Sequence, residues 1–153
     1  MAQQKEINVT EQIKLATCTY QEFAPHMGTP VRTTVGHPRF PLSYQLGGIA
    51  RSVTPTRSLL KIESEDAYEF IYRRLLNERG IDAIREELTA IAGANDLEVP
   101  VVLLCFDKLS KPGNWCHRTH FAKWWTEQTG QEVPELGAAA VQPPQAPPAL
   151  FEF

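Results

Sequence analysis

Hydrophobic positions along the chain fall into two periods. Ile13 to Cys18 reads IKLATC, with Ile13, Leu15 and Thr17 on one face, and predicts a first strand. Thr19 to Phe23 then predicts a loop or short helix that Pro25 ends. Val31 to Val35 is β-branched and predicts a second strand, broken by Gly36, His37, Pro38 and Arg39. Phe40 to Thr56 is rich in Gly, Pro and Ser and predicts an irregular excursion, with a helical turn at Ser43 to Leu46; Leu59 to Ile62 predicts a short strand. The period then becomes helical. Ser64 is a candidate N-cap with Glu65 and Asp66 in the first turn, and Ala67, Phe70, Ile71 and Leu75 follow as the buried stripe until Gly80 stops the helix. Ile81, Ile84, Leu88 and Ile91 form a second stripe ending at Gly93, with Glu86 and Glu87 on a solvated face. Val99 to Phe106 is continuously apolar, as in a strand covered on both faces. Asp107 to Asn114 is a polar loop. A last helix runs from near Trp115 to Thr129, buries Phe121, Trp124 and Trp125, and stops at Gly130.

Strand, strand, helices, buried strand, helix is an α/β order. It predicts a small, mostly parallel sheet flanked by helices in Rossmann-like layering over residues 12–137. Residues 1–11 form a polar lead-in. Residues 138–153, with a run of prolines, predict an extended, disordered tail. No internal repeat is visible.

Charge and cysteine usage narrow the function classes. A net charge of −3 argues against a chain-wide basic surface for nonspecific DNA binding, but acidic residues concentrate between Glu63 and Glu98, so a local basic cleft is compatible with it. The first twenty residues hold no apolar signal region, and no apolar run approaches membrane-spanning length. These features predict a cytoplasmic protein with no membrane contact. Cys18, Cys105 and Cys116 are an odd set, expected there as reduced thiols.

The segment Leu103 to Trp125 carries the most chemistry. It predicts a buried strand, a loop, and a helix opening on Cys116, His117 and Arg118. Ligands of open α/β sheets bind at the carboxyl ends of strands, and helix N-termini attract anions and lower thiol pKa values. Cys116 is the candidate nucleophile, His117 its acid/base partner and Arg118 an anion clamp, although Arg118 could instead pair with Glu135. Cys105, inside the apolar strand, also reads as a small buried residue. The turn after the second strand adds Gly36, His37 and Arg39, and the end of the first strand adds Thr17, Thr19 and Tyr20. All are expected around one hollow. A metal reading would use Cys116, His117 and His120, with Cys105 joining only if the loop folds back. No one helix face presents those three, and the C-x-x-C pairs of structural zinc sites are missing. The expected site therefore holds no metal and no cofactor.

Several of these residues resemble the family of uncharacterised proteins called domain of unknown function 488 (DUF488). Its members show a strand ending in Leu-Leu-Cys, an acidic residue soon after, and Cys-His-Arg opening the final helix; here these are Leu103, Leu104 and Cys105, then Asp107, then Cys116, His117 and Arg118. An Arg- and Pro-containing turn is matched by Gly36 to Pro41, and the ending G-x-x-V-P-E-L by Gly130, Val133, Pro134, Glu135 and Leu136. Where members carry Asp-Val-Arg at the early turn, this chain has Val35, Gly36 and His37 before Pro38 and Arg39. The resemblance covers Ile13 to Leu136. It implies a small α/β fold and a site at Cys105, Asp107 and Cys116–Arg118, with no established activity.

Two functions are expected. One is an enzyme acting on a phosphorylated or nucleotide-containing ligand through the thiol, imidazole and arginines. The other is a non-catalytic nucleotide or nucleic-acid binding module. Gln145, Leu150 and Phe151 look like the Gln-x-x-Leu-x-Leu-Phe peptide that docks on bacterial sliding clamps, with Pro148 where Leu is usual, so the tail would recruit such a module to replication or repair.

Overall fold

The computed structural model describes residues 12–106 and 115–137. The expected lead-in, the loop carrying Asp107, and the tail with Leu150 and Phe151 lie outside the described residues.

Among the described residues four strands, β1 (Leu15–Thr19), β2 (Thr29–Arg32), β3 (Gly48–Ile49) and β4 (Val101–Cys105), form one sheet in the order β1-β4-β2-β3. Every pairing is parallel. The α-helices of the described residues are α1 (Glu65–Arg79) and α2 (Ile81–Ala94), which lie between β3 and β4, and α3 (His117–Thr129), which follows β4. The architecture is the expected α/β one, a parallel sheet flanked by helices. All five residues of β4 are buried, which explains its unbroken apolar run: it is the strand between β1 and β2 and has no solvent face.

The two faces are covered differently. Leu15, Val31, Val101 and Leu103 pack against helix residues Tyr72, Leu76, Ile84, Leu88, Phe121, Trp124 and Trp125. Ala16, Cys18, Val102 and Leu104 point the other way, towards Phe23, Phe40, Leu42, Tyr44 and Leu46 from the irregular segments. The helices thus occupy one face, and loops close the other. Beyond β1, Pro134 to Leu136 extends the sheet: Thr17 N donates to Pro134 O at 2.9 Å, and Leu136 N donates to Thr17 O at 2.7 Å.

Some local expectations are corrected. β2 begins at Thr29 and ends at Arg32 rather than spanning Val31 to Val35. It takes in Pro30, whose carbonyl accepts from Gly47 N on the β3 side, where β3 starts only at Gly48. Ser43 to Leu46 forms no helical turn. Leu59 to Ile62 is not a strand; Arg57–Lys61 is a 3-10 turn closed by Leu59 N to Thr56 O and Ile62 N to Leu59 O. In α1 the buried stripe is Tyr68, Tyr72 and Leu76, while Phe70 and Ile71 are 69% and 41% exposed. The Tyr72 hydroxyl donates to Val53 O inside the core, so this ring is buried with its polar group satisfied. Ser64 does cap α1, its hydroxyl accepting from Ala67 N. Glu87 is not merely solvated: its carboxylate accepts from the backbone N–H groups of Arg51 and Ser52 at 2.9 Å each and fixes the loop after β3.

Gly28 lies where the chain turns into β2. Its φ of 144° is unfavourable for residues with a Cβ, and a Cβ there would sit 2.3 Å from Pro100 O. That oxygen accepts from Thr29 N at 2.8 Å, so it cannot retreat without breaking the start of the β2–β4 pairing. Gly28→Ala is expected to lower stability by about 2 kcal/mol or more. Urea unfolding followed by Trp fluorescence checks this, and an unchanged midpoint would show that the turn relaxes freely.

Candidate functional site

The carboxyl ends of β2 and β4 open into a cavity of about 420 Å3, among whose walls are Thr34, Gly36, Leu59, Tyr68, Cys105, Trp115, Cys116 and His117. Cys105 is the last residue of β4, and Cys116 is the N-cap of α3. The end of the strand and the start of the helix bring the two cysteines together, and they are joined as a disulfide. The expectation of reduced thiols is therefore corrected: among the described residues only Cys18 is free, buried on the opposite sheet face. Burial pushes the Cys18 thiol up to about 11, the largest of its influences, so it stays protonated and unreactive.

His117 Nδ1 stands 3.7 Å from Cys105 Sγ and 3.6 Å from Cys116 Sγ. On the other side of the ring, Nε2 is 2.8 Å from Thr33 Oγ1, and that hydroxyl donates to Leu104 O at 2.7 Å. A hydroxyl has one proton. Since Thr33 gives its proton to Leu104, it must accept from His117, which puts the imidazole proton on Nε2. Nδ1 is left with its lone pair directed at the sulfurs. Burial, reinforced by the Arg118 charge, lowers the His117 pKa to about 3. A ring held neutral so far down accepts hydrogen bonds or ligates, but it stores no proton at neutral pH. That argues against the acid/base role expected for it.

Arg118 does not face this cavity as a clamp. It is fully buried, and its Nε and NH2 donate to Glu135 Oε1 and Oε2 at 3.0 Å each. The pairing with Glu135 is the alternative that the structure selects. Thr17 also donates to Glu135 Oε1, at 2.6 Å, and Thr19 donates to Glu22 at 2.9 Å. Tyr20 packs on the loop-covered face and shares a hydrogen bond with Thr34. Thr17, Thr19 and Tyr20 are therefore structural polar residues of β1 and its end, not cavity walls. His37 is exposed and bonds to Pro38 O; Arg39 is exposed and does not line the cavity. Of the expected residues, Gly36, Cys105, Cys116 and His117 meet at one place, and Asp107 lies outside the described residues. His120 turns away towards Glu65 and Glu69 of α1.

The cationic wall missed by the sequence reading is a neighbouring cleft of about 220 Å3. It is lined by Arg32, Arg51, Arg57 and Arg79, and it shares Thr34, Val35 and Pro55 with the Cys–His cavity. Arg32 is held by Thr34 O and Val35 O, and Arg79 NH1 by Arg51 O, Ser52 O and Thr54 O. None of the four forms an ion pair with an acidic side chain among the described residues. Four arginines converging without a counter-ion are suited to an anion. Arg51 and Arg57 belong to a segment without periodicity, so only their density between Ile49 and Ser58 could have signalled them.

Because Arg118 is buried against Glu135, Arg118→Ala should cost about 3 kcal/mol of stability by stranding a half-buried carboxylate. Arg118→Lys should cost less, keeping the charge but losing the two-pronged bond. Arg39→Ala should stay within about 0.5 kcal/mol of the parent, as an exposed change. Chemical denaturation of the three variants measures this ordering; an Arg118→Ala protein as stable as the parent would contradict it.

Comparison with protein-family models, with curated proteins and with solved structures finds no match to this chain.

Proposed function

We propose that this chain binds a phosphorylated or similarly anionic small molecule. The anionic group seats among Arg32, Arg51, Arg57 and Arg79, and the uncharged body extends over Thr34 and Val35 to the Cys105–Cys116–His117 cavity. One observation carries this reading: the cationic cleft and the Cys–His cavity share a wall. A ligand long enough to cross Thr34, Val35 and Pro55 reaches both. The arginines give charge and direction, and the mostly hydrocarbon cavity selects an apolar or aromatic body. The place fits an α/β protein, whose ligands collect at the carboxyl ends of its strands. The DUF488 resemblance supports the same end of the molecule, since its Leu-Leu-Cys and Cys-His-Arg motifs both terminate there. In the reduced protein the cysteine pair is the reactive element of the site.

Calorimetric titration with inorganic phosphate, phenol and phenyl phosphate tests this reading. Phenyl phosphate is expected to bind more tightly than either part alone, and its affinity should fall as salt is raised. Arg51→Ala combined with Arg57→Ala should weaken phosphate and phenyl phosphate alike, by about tenfold or more, the loss of roughly 1.4 kcal/mol. Arg39→Ala should change neither. Phosphate affinity that survives the double variant, or that falls with Arg39→Ala, would place the anion elsewhere and reject the reading.

A further inference from the structure

The geometry points to a divalent-metal site, of the class that takes zinc, formed in the reduced protein by Cys105 Sγ, Cys116 Sγ and His117 Nδ1. The three donor atoms are buried and lie within 4.8 Å of one another. Zinc bonds sulfur at about 2.3 Å and imidazole nitrogen at about 2.0–2.1 Å, so neighbouring N and S corners of its tetrahedron stand about 3.6 Å apart. The two N···S separations here are 3.7 and 3.6 Å. Two edges of the ligand triangle therefore already have the required length. The third opens when the disulfide is reduced, and the backbone has room for it. The cysteine Cα atoms are 7.3 Å apart, beyond the roughly 4.4–6.8 Å that disulfides usually span.

The hydrogen-bond relay supplies the second requirement. A ligating imidazole needs its other nitrogen protonated and anchored. Thr33 does this at Nε2, and Thr33 is itself committed to Leu104 O. Three protein donors with a free fourth position are the pattern of catalytic rather than structural zinc. The adjoining cavity is where that fourth position would open. Oxidation and metal loss are then a single event. An organic disulfide accepts two electrons from the paired thiolates, leaves as two thiolates, and forms the Cys105–Cys116 bond as the metal ion departs. The proposal does not depend on the anion-binding reading.

The test uses the full chain, reduced and kept free of oxygen, titrated with Co2+. A thiolate-to-cobalt charge-transfer band and tetrahedral ligand-field bands should saturate at one ion per chain, and Zn2+ should displace them. Cys105→Ser and Cys116→Ser should abolish the charge-transfer signature, while Cys18→Ala should retain it. Thr33→Val should weaken Zn2+ binding about 10–100-fold, with Thr33→Ser restoring it. In the parent protein, which avoids any folding defect of the variants, Zn2+ should protect Cys105 and Cys116 from alkylation. Adding an organic disulfide should release the ion. No charge-transfer band in the reduced parent, a band that persists without Cys105 or Cys116, or no protection by Zn2+ would overturn the proposal. Phosphate titrations on the same preparations separate the two ideas: phosphate binding without metal sinks only the metal site, and metal without phosphate binding sinks only the anion cleft.

Discussion

The Thr33 hydroxyl is the point through which the two halves of the site hold each other. It donates to Leu104 O in β4 and accepts from His117 Nε2 in α3, while its own backbone continues β2. Each buried bond of this type contributes about 1 kcal/mol net, but an orphaned buried donor costs about 1–3 kcal/mol. The larger consequence is directional. Because a hydroxyl carries one proton, satisfying Leu104 fixes the imidazole tautomer, and the tautomer decides that a lone pair faces the sulfurs. A valine of the same shape would preserve the packing and lose that instruction.

This relay needs a sheet in which β4 lies between β1 and β2. Only there do the ends of β4 and β2 sit side by side, with Cys105 and Thr33 both on the helix-covered side of the sheet, continuing Leu103 and Val31. The parallel arrangement then delivers α3 so that its first residues cross the strand ends. Arg118 and Glu135 serve this placement rather than a ligand. Glu135 is bridged to Thr17 at the β1 edge, so the Arg118 guanidinium ties the start of α3 to the outermost pairing of the sheet. Its charge also presses on His117 and adds to the burial that keeps the ring neutral.

Much of this was legible in sequence where one period dominated. The apolar run of β4 and the Phe121, Trp124, Trp125 stripe of α3 announced that strand and that helix, and with them the meeting of Cys105, Cys116 and His117. The phase of α1 was misread because the purely apolar Ala67, Phe70, Ile71 and Leu75 were counted as the buried stripe, whereas Tyr68 and Tyr72 face the core and Tyr72 finds a backbone acceptor for its hydroxyl. The arginine cleft was not legible because β3 is two residues long and has no periodicity to announce it. Its arginines come from β2, the loop after β3 and the end of α1, so no local spacing connects them. Arg118 and Arg39 drew attention by lying beside motif residues. Sequence neighbours on a helix or turn point in different directions, and neither of these two lines the cavity.

The division of labour between the two hollows has a physical logic. Four arginines in one place repel each other, and a thiolate beside them would be drawn into ion pairs that block it. Here two of the cations, Arg32 and Arg79, are clamped by backbone carbonyls of Thr34 and Val35 and of Arg51, Ser52 and Thr54, while the sulfurs line the neighbouring cavity, beyond the shared wall of Thr34, Val35 and Pro55. Low dielectric around the sulfurs strengthens any interaction a ligand makes there, and the solvated arginine cleft supplies long-range attraction for the anionic end. Binding energy gathered at the cleft can therefore hold the ligand body against Cys105, Cys116 and His117 without either region compromising the other's charge state.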